Sequence, residues 1–265
     1  MSKKTKTSET ILITGASAGI GKACVDAFAK SYPKKSTFIL IARREERLKT
    51  HATRLERKGF YVHCFALDIA DRKAVEKFAR AYKKTLDQVT ILVNNAGLAK
   101  GLEPLQEGSE DDWQTMLQTN VMGLLRMTRL ISPSMIRRKS GHIVNIGSVA
   151  SRWFYPNGNV YCATKAAVHA ITESLRMDLN GSGVRVTEIT PGKVETEFSL
   201  VRFGNEELAK KAYEGMTPLT AEDVAEAVVW CAQRPVHVNI QDIVLYPTDQ
   251  ASPTMIHLKK SAPSL

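Results

Sequence analysis

No two cysteines of this 265-residue chain stand near each other: Cys24, Cys64, Cys162 and Cys231 are far apart and form no Cys-x-x-Cys pair. That removes the usual local signature of a zinc or dithiol site and fits reduced, buried thiols in a cytoplasmic protein. The six histidines include no His-x-x-x-His pair with a nearby Glu, so no metal site is expected. No apolar run approaches the ~18–20 residues needed to span a bilayer, so no membrane association is expected. The N-terminus is polar and basic with no apolar stretch behind it, unlike a secretory signal. Residues 1–9 are expected to be a flexible tail. Repeats, low-complexity linkers and breaks in composition are absent, so residues 10–265 read as one domain.

What is present is an ordinary globular composition, 43% apolar, with a net charge of +10. The basic residues are spread along the chain, apart from Lys3-Lys4-Thr5-Lys6 and Arg43-Arg44. Such a spread suits a solvated surface and an anionic cofactor better than a nucleic-acid footprint.

Seven short apolar, β-branched runs are expected to be strands: residues 10–14, 37–42, 61–69, 90–93, 142–146, 184–190 and 240–245. Helical patterns lie between them, at 45–57, 72–86, 113–130, 161–179 and 221–231, with a short one at 206–213. Strands alternating with helices predict an α/β fold: a single doubly wound Rossmann domain with a seven-stranded parallel sheet. The segment 195–217 follows the sixth strand and is expected to form a small substrate lid.

Between the first strand and first helix stands Gly15-Ala16-Ser17-Ala18-Gly19-Ile20-Gly21. Glycines there permit a tight turn and close approach of backbone to a pyrophosphate at a helix N-terminus. At the end of the second strand an acid would bind ribose hydroxyls, but this chain has Arg43-Arg44. A guanidinium suits a 2′-phosphate, so NADP is expected rather than NAD. The fourth strand runs into Asn94-Asn95-Ala96-Gly97, where small residues admit a flat ring and the amides can pin the turn.

Of the seven tyrosines only Tyr161 has a Lys four residues on, Lys165. On a helix the two share a face, and a neighbouring cation favours the phenolate. Ser148, at the end of the fifth strand, can hydrogen-bond a substrate oxygen. Together the three form a proton-transfer apparatus for a carbonyl or alcohol. Asn120 sits inside a helical pattern, where Asn is unfavourable without a task such as holding a water or kinking the helix.

In this order, Thr14-Gly15-x-x-x-Gly19-x-Gly21, Asn94-Asn95-Ala96-Gly97, Asn120, Ser148, Tyr161-x-x-x-Lys165 and Pro191-Gly192 resemble the short-chain dehydrogenase/reductase family. The resemblance runs from about residue 11 to 252. Within the family, Thr196-Glu197-Phe198-Ser199-Leu200-Val201-Arg202-Phe203 and Pro235-Val236-His237-Val238-Asn239-Ile240 resemble the NADP-dependent 3-hydroxy acid and serine dehydrogenases. The resemblance implies Tyr161 as general acid or base and Lys165 as the residue that lowers its pKa and holds the nicotinamide ribose. It implies Ser148 orienting the substrate oxygen and Asn120 anchoring a water in a proton relay. It implies a cofactor site of Gly15, Ser17, Gly19, Ile20, Gly21, Arg43, Arg44, Ala96 and Gly97, with Asp68 and Ile69 against adenine and Asn95 on the adenosine side. Pro191, Gly192, Val194 and Thr196 would lie by the nicotinamide. It also implies a homotetramer.

The expected substrate is a small molecule: a short 3-hydroxy acid, or a β-hydroxy amino acid such as serine or allo-threonine. Arg152 or Arg202 is a candidate partner for its carboxylate, and Trp153 is expected to border the pocket. Lys100 departs from the pattern and has no assigned role. Two other readings stay open: a broad carbonyl reductase, with Trp153, Phe154 and Phe203 lining a roomier pocket, and a non-catalytic cofactor sensor or nucleic-acid-binding protein.

Overall fold

The computed structural model describes residues 8–259. Its elements follow the order β1 (Thr10–Thr14), α1 (Gly19–Ser31), β2 (Thr37–Ala42), α2 (Glu45–Glu56), β3 (Tyr61–Ala66), α3 (Arg72–Ala81), α4 (Lys83–Leu86) and β4 (Ile91–Asn94). Then come α5 (Glu110–Met116), α6 (Leu124–Arg138), β5 (Gly141–Ile146), α7 (Asn159–Asp178), β6 (Val184–Pro191), α8 (Glu197–Phe203), α9 (Glu206–Lys211), α10 (Ala221–Ala232) and β7 (Asp242–Leu245). The seven strands form one sheet, order β3-β2-β1-β4-β5-β6-β7, and every paired neighbour is parallel. The expected doubly wound α/β fold is borne out. Of the expected tail, residues 1–7 lie outside the described residues.

Side chains of a strand point alternately to its two faces, so a sheet covered on both sides needs apolar residues at every position. In β1, Ile11 and Ile13 enter the core beneath α1 and α10, while Leu12 enters the core on the other face. Phe38 and Leu40 divide from Ile39 and Ile41 in the same way. All seven are fully buried. The order reverses between β1 and β4, and a crevice opens there at the carboxyl ends of the strands.

Some boundaries differ from expectation. β3 stops at Ala66, because the Asp68 side chain closes its own turn by accepting from the Ala70 amide at 2.9 Å. The helix expected over 72–86 breaks at Tyr82. The helix expected over 113–130 is longer and not uniform: α5 passes through a π-helical segment, Leu117–Gly123, into α6. The region expected to carry one short helix carries two, α8 and α9. α10 opens on a capping box, with Thr220 and Asp223 each bonding the other's backbone amide. No helix among the described residues is long and apolar enough to cross a membrane, and the same residues hold no cluster of metal-ligating side chains.

Candidate active site

The crevice at the strand ends has a volume of about 310 Å³. Its floor is the Gly-rich turn. Gly15 and Gly19 have φ of +68° and +49°, values a side chain disfavours. A Cβ on Gly15 would stand 2.7 Å from Asn95 Nδ2. One on Gly21 would collide with the Gly15 carbonyl and with the same amide, 2.5 Å away. Asn95 staples this turn: Nδ2 donates to the Thr14 carbonyl at 2.9 Å and its backbone N–H donates to Thr14 Oγ1 at 3.0 Å. Ala18, the N-cap of α1, offers no side-chain acceptor. The first N–H groups of α1 therefore lack a side-chain cap and stand at the crevice, a setting that suits an anion.

Ser17, Ile20, Arg43, Arg44, Asp68, Ile69, Ala96 and Gly97 line the crevice with Gly15, Gly19 and Asn95. Gly21 does not; it is packed behind the turn. Arg44 donates from Nε to Ser17 Oγ at 3.3 Å and from Nη1 to Glu197 Oε2 at 2.6 Å. Arg47 holds the other oxygen of Glu197, also at 2.6 Å. Both pairs are half-exposed. With two arginines and no acid at the end of β2, the residues present fit a 2′-phosphorylated dinucleotide. On the far side Pro191, Gly192, Val194 and Thr196 line the crevice. Thr196 caps α8, accepting from Phe198 N at 3.2 Å, and stands over Gly19.

Ser148, Tyr161 and Lys165 meet at the inner end of the crevice. Ser148 leaves β5 extended, and its Oγ accepts from Ala150 N at 3.1 Å, which fixes the hydroxyl's position. Tyr161 and Lys165 are both buried on α7. A neighbouring cation alone draws a phenol's pKa down, but here burial is the larger influence and pushes Tyr161 up. The Ser148 hydroxyl, bonded to the phenol, and the Arg202 charge act in the opposite sense. Burial likewise lowers Lys165 to about 8, against the raising effect of Glu188. Lys165 Nζ donates to the Ile146 carbonyl at 2.9 Å.

Asn120 is buried in the π-helical segment behind this group rather than in the crevice wall. Its Oδ1 accepts from Leu98 N at 2.9 Å, and its Nδ2 donates to the Leu98 carbonyl at 2.8 Å and to Thr164 Oγ1 at 3.0 Å. Thr164 lies between Tyr161 and Lys165 on α7, so Asn120 ties the Gly97-Leu98 turn to the helix bearing both.

Of the substrate candidates, Arg202 comes to Tyr161: its guanidinium lies 5.6 Å from the centroids of the Tyr161 and Tyr155 rings. Its Nη1 donates to Tyr155 Oη at 2.9 Å. Arg152, Trp153 and Arg202 do not line the crevice; Arg202 lines a separate recess that also touches Tyr161. Arg152 pairs with Asp242 of β7, and Trp153 packs against Tyr246 while half-exposed. Lys100 pairs with Asp112 at 3.0 Å. Asn94 does not pin the turn; its Nδ2 donates to Thr128 and Asn145, both at 2.9 Å. Gly147, Leu98, Thr119, Phe198 and Val201 also line the crevice. Sequence reasoning missed them because apolar and small residues carry no chemical signature, although Gly147 directly precedes Ser148.

Residues 9–206 match the short chain dehydrogenase family. The chain belongs to the short-chain dehydrogenase/reductase family. It is 46% identical over 243 residues to the NADP-dependent 3-hydroxy acid dehydrogenase YdfG of Salmonella typhi, covering 91% of this chain and 96% of that one. It is 45% identical over 246 residues to sulfoacetaldehyde reductase 2 of Chromohalobacter salexigens, covering 92% and 96%. Among solved structures, the closed form of serine dehydrogenase complexed with NADP+ superposes with a TM-score of 0.84 at 44% identity, covering 91% of this chain and 96% of that one. In this short-chain dehydrogenase/reductase the Tyr-x-x-x-Lys pair therefore stands in a whole chain of matching architecture.

Proposed function

We propose that this protein is an NADP-dependent oxidoreductase that interconverts a short 3-hydroxy acid, or a β-hydroxy amino acid such as serine or allo-threonine, with its carbonyl form. The observation that carries the reading is the convergence of Ser148, Tyr161 and Lys165 at the inner end of a crevice whose outer end holds Arg43 and Arg44. The bound cofactor supplies or accepts the hydride. Tyr161 gives a proton to the carbonyl oxygen in reduction and takes it back in oxidation. Ser148 holds that oxygen in line with the phenol, and Lys165 favours the phenolate when the proton leaves. Asn120 has one acceptor position left on Oδ1 for a relay water. The segment 195–217 acts as the lid, with Phe198 and Val201 excluding water.

Arg202 is the partner for the substrate's anionic group. It stands beside Tyr161, while Arg152 is engaged by Asp242. The three relatives described above are named for a hydroxy acid, a sulfonated aldehyde and an amino acid, all small and bearing an anionic group. Four free thiols agree with a cytoplasmic enzyme. The homotetramer rests on the family resemblance, and light scattering checks it.

The experiment follows NADP+ reduction with L-serine and 3-hydroxypropionate, with NAD+ and the Tyr161→Phe variant alongside. Turnover with NADP+ that drops about a hundredfold or more in the variant is expected. NADPH consumption with ketones but none with acids would replace this substrate class by the carbonyl-reductase reading. Binding of a polyanion with no turnover on any carbonyl would replace it by the non-catalytic one.

A further inference from the structure

Beneath α7 a row of polar side chains crosses the sheet where apolar ones are the rule. The strand registers align Asn94 with Asn145, Asn145 with Glu188, and Glu188 with Asp242. Residues in register across parallel strands point to the same face. The amide nitrogens donate to Asn145 Oδ1, Thr128 and Thr172, while the neutral Asn94 Oδ1 is buried without a partner. Glu188 is different. It is 1% exposed, and a carboxylate is almost never left so deep without a partner.

Its Oε2 lies 2.7 Å from His169 Nδ1. Its Oε1 is buried with no hydrogen-bond partner. A Cβ on Gly147 would collide with that same Oε1, so the glycine before Ser148 leaves the room in which the carboxylate sits. Lys165 and His169 are four apart on α7 and share a face. Lys165 is itself 7% exposed and accounts for one N–H only, to Ile146. Two buried groups of opposite charge thus flank one stretch of α7.

We propose that Glu188 is a positioning residue for proton transfer: its buried carboxylate, turned by His169 and seated against Gly147, keeps the Lys165 ammonium charged and in place. The inference deepens the function proposed above and rests on its reading of Tyr161 and Lys165. Burial works against the Lys165 charge and Glu188 supports it. Glu188 is in turn pushed up by burial and drawn down by His169 and Arg152, while Asp242 on the next strand pushes it up. Arg152 pairs with Asp242, so it offsets the second carboxylate of the row. The groups facing Glu188 are therefore Lys165 and His169 from α7, Asp242 from β7 and Arg152 from the segment after β5.

The direction follows from these signs. Removing the Glu188 charge makes the Lys165 ammonium easier to deprotonate, so functions that need it fail at lower pH. The test compares wild type, Glu188→Gln and His169→Gln from about pH 6 to about pH 10. Two readouts are taken: NADPH affinity by nicotinamide fluorescence, and kcat/KM for carbonyl reduction. In Glu188→Gln the alkaline limb of both is expected about one pH unit lower, with affinity near pH 6 within about twofold of wild type. His169→Gln shifts the limb the same way by less. Limbs that coincide with wild type in both variants, with only a uniform drop, refute the proposal and leave Glu188 a packing residue. A shifted binding limb with no turnover of any carbonyl by wild type sustains the hold of Glu188 on the Lys165 charge and overturns the proton-transfer function instead. If Glu188→Gln does not fold, the His169→Gln limb alone decides.

Discussion

Replacing Asn120 by Ala removes three hydrogen bonds at a buried junction. Leu98 loses the acceptor of its N–H and the donor to its carbonyl, and Thr164 Oγ1 loses a donor. Thr164 still donates to the Tyr161 carbonyl at 2.8 Å, so its loss is small. The two Leu98 groups are left without these partners in a buried residue, since Leu98 is 6% exposed. Each orphaned buried group costs about 1–3 kcal/mol, which makes about 3 kcal/mol for the pair a conservative sum. Native stability is only about 5–15 kcal/mol, so this is a large share. In a chain of this size it corresponds to a melting temperature about 6 to 12 °C lower. Leu98 also packs in the same small cluster as Tyr161, so the loosened turn reaches the proton-transfer group. The assay is thermal unfolding followed by circular dichroism, with NADPH titration at a temperature where the variant is folded. A melting temperature within about 2 °C of wild type would show that the two Leu98 groups find other partners and that Asn120 does not hold the junction.

Two further substitutions test the crevice. Gly21→Ala drives a methyl into the Gly15 carbonyl and the Asn95 amide; it should cost about 1–3 kcal/mol in urea unfolding and weaken NADPH binding, and unchanged affinity would remove Gly21 from the cradle. The double variant Arg43→Ala with Arg44→Ala should lower the preference for NADPH over NADH about tenfold or more, as expected for at least one lost charge-assisted bond. Dissociation constants for both nucleotides provide the check, and an unchanged ratio would move phosphate recognition elsewhere.

Recognition worked best where a short stretch of chain suffices. Apart from terminal threonines, the buried strands β1 and β2 are apolar at every position, which a sequence displays directly. The Gly-rich turn lies directly between a strand and a helix, an order of elements that the residues display locally. Tyr161 and Lys165 are one helical turn apart, so helix geometry alone puts them on one face. Asn120 was visible as an anomaly, a polar residue inside a helical pattern, but not its partners. Leu98 and Thr164 are 22 and 44 residues away, and the π-helical turn that aims the amide at both has no signature in the residue order.

The ionic partners behave likewise. Arg152 looked free for a substrate because Asp242, 90 residues on, approaches only when β7 joins the sheet edge. Glu188 stands in a strand that also carries Arg185, Thr187 and Thr190; its neighbours come from α7, from β7 and from the turn before Ser148. Local sequence thus determined the strands, the cradle and the Tyr161–Lys165 pair, because backbone periodicity and short-range sterics decide those. Tertiary structure alone decided which buried polar groups are satisfied and which charges lie near Lys165. Those depend on distances between segments far apart in the chain, and on burial that no single segment has by itself.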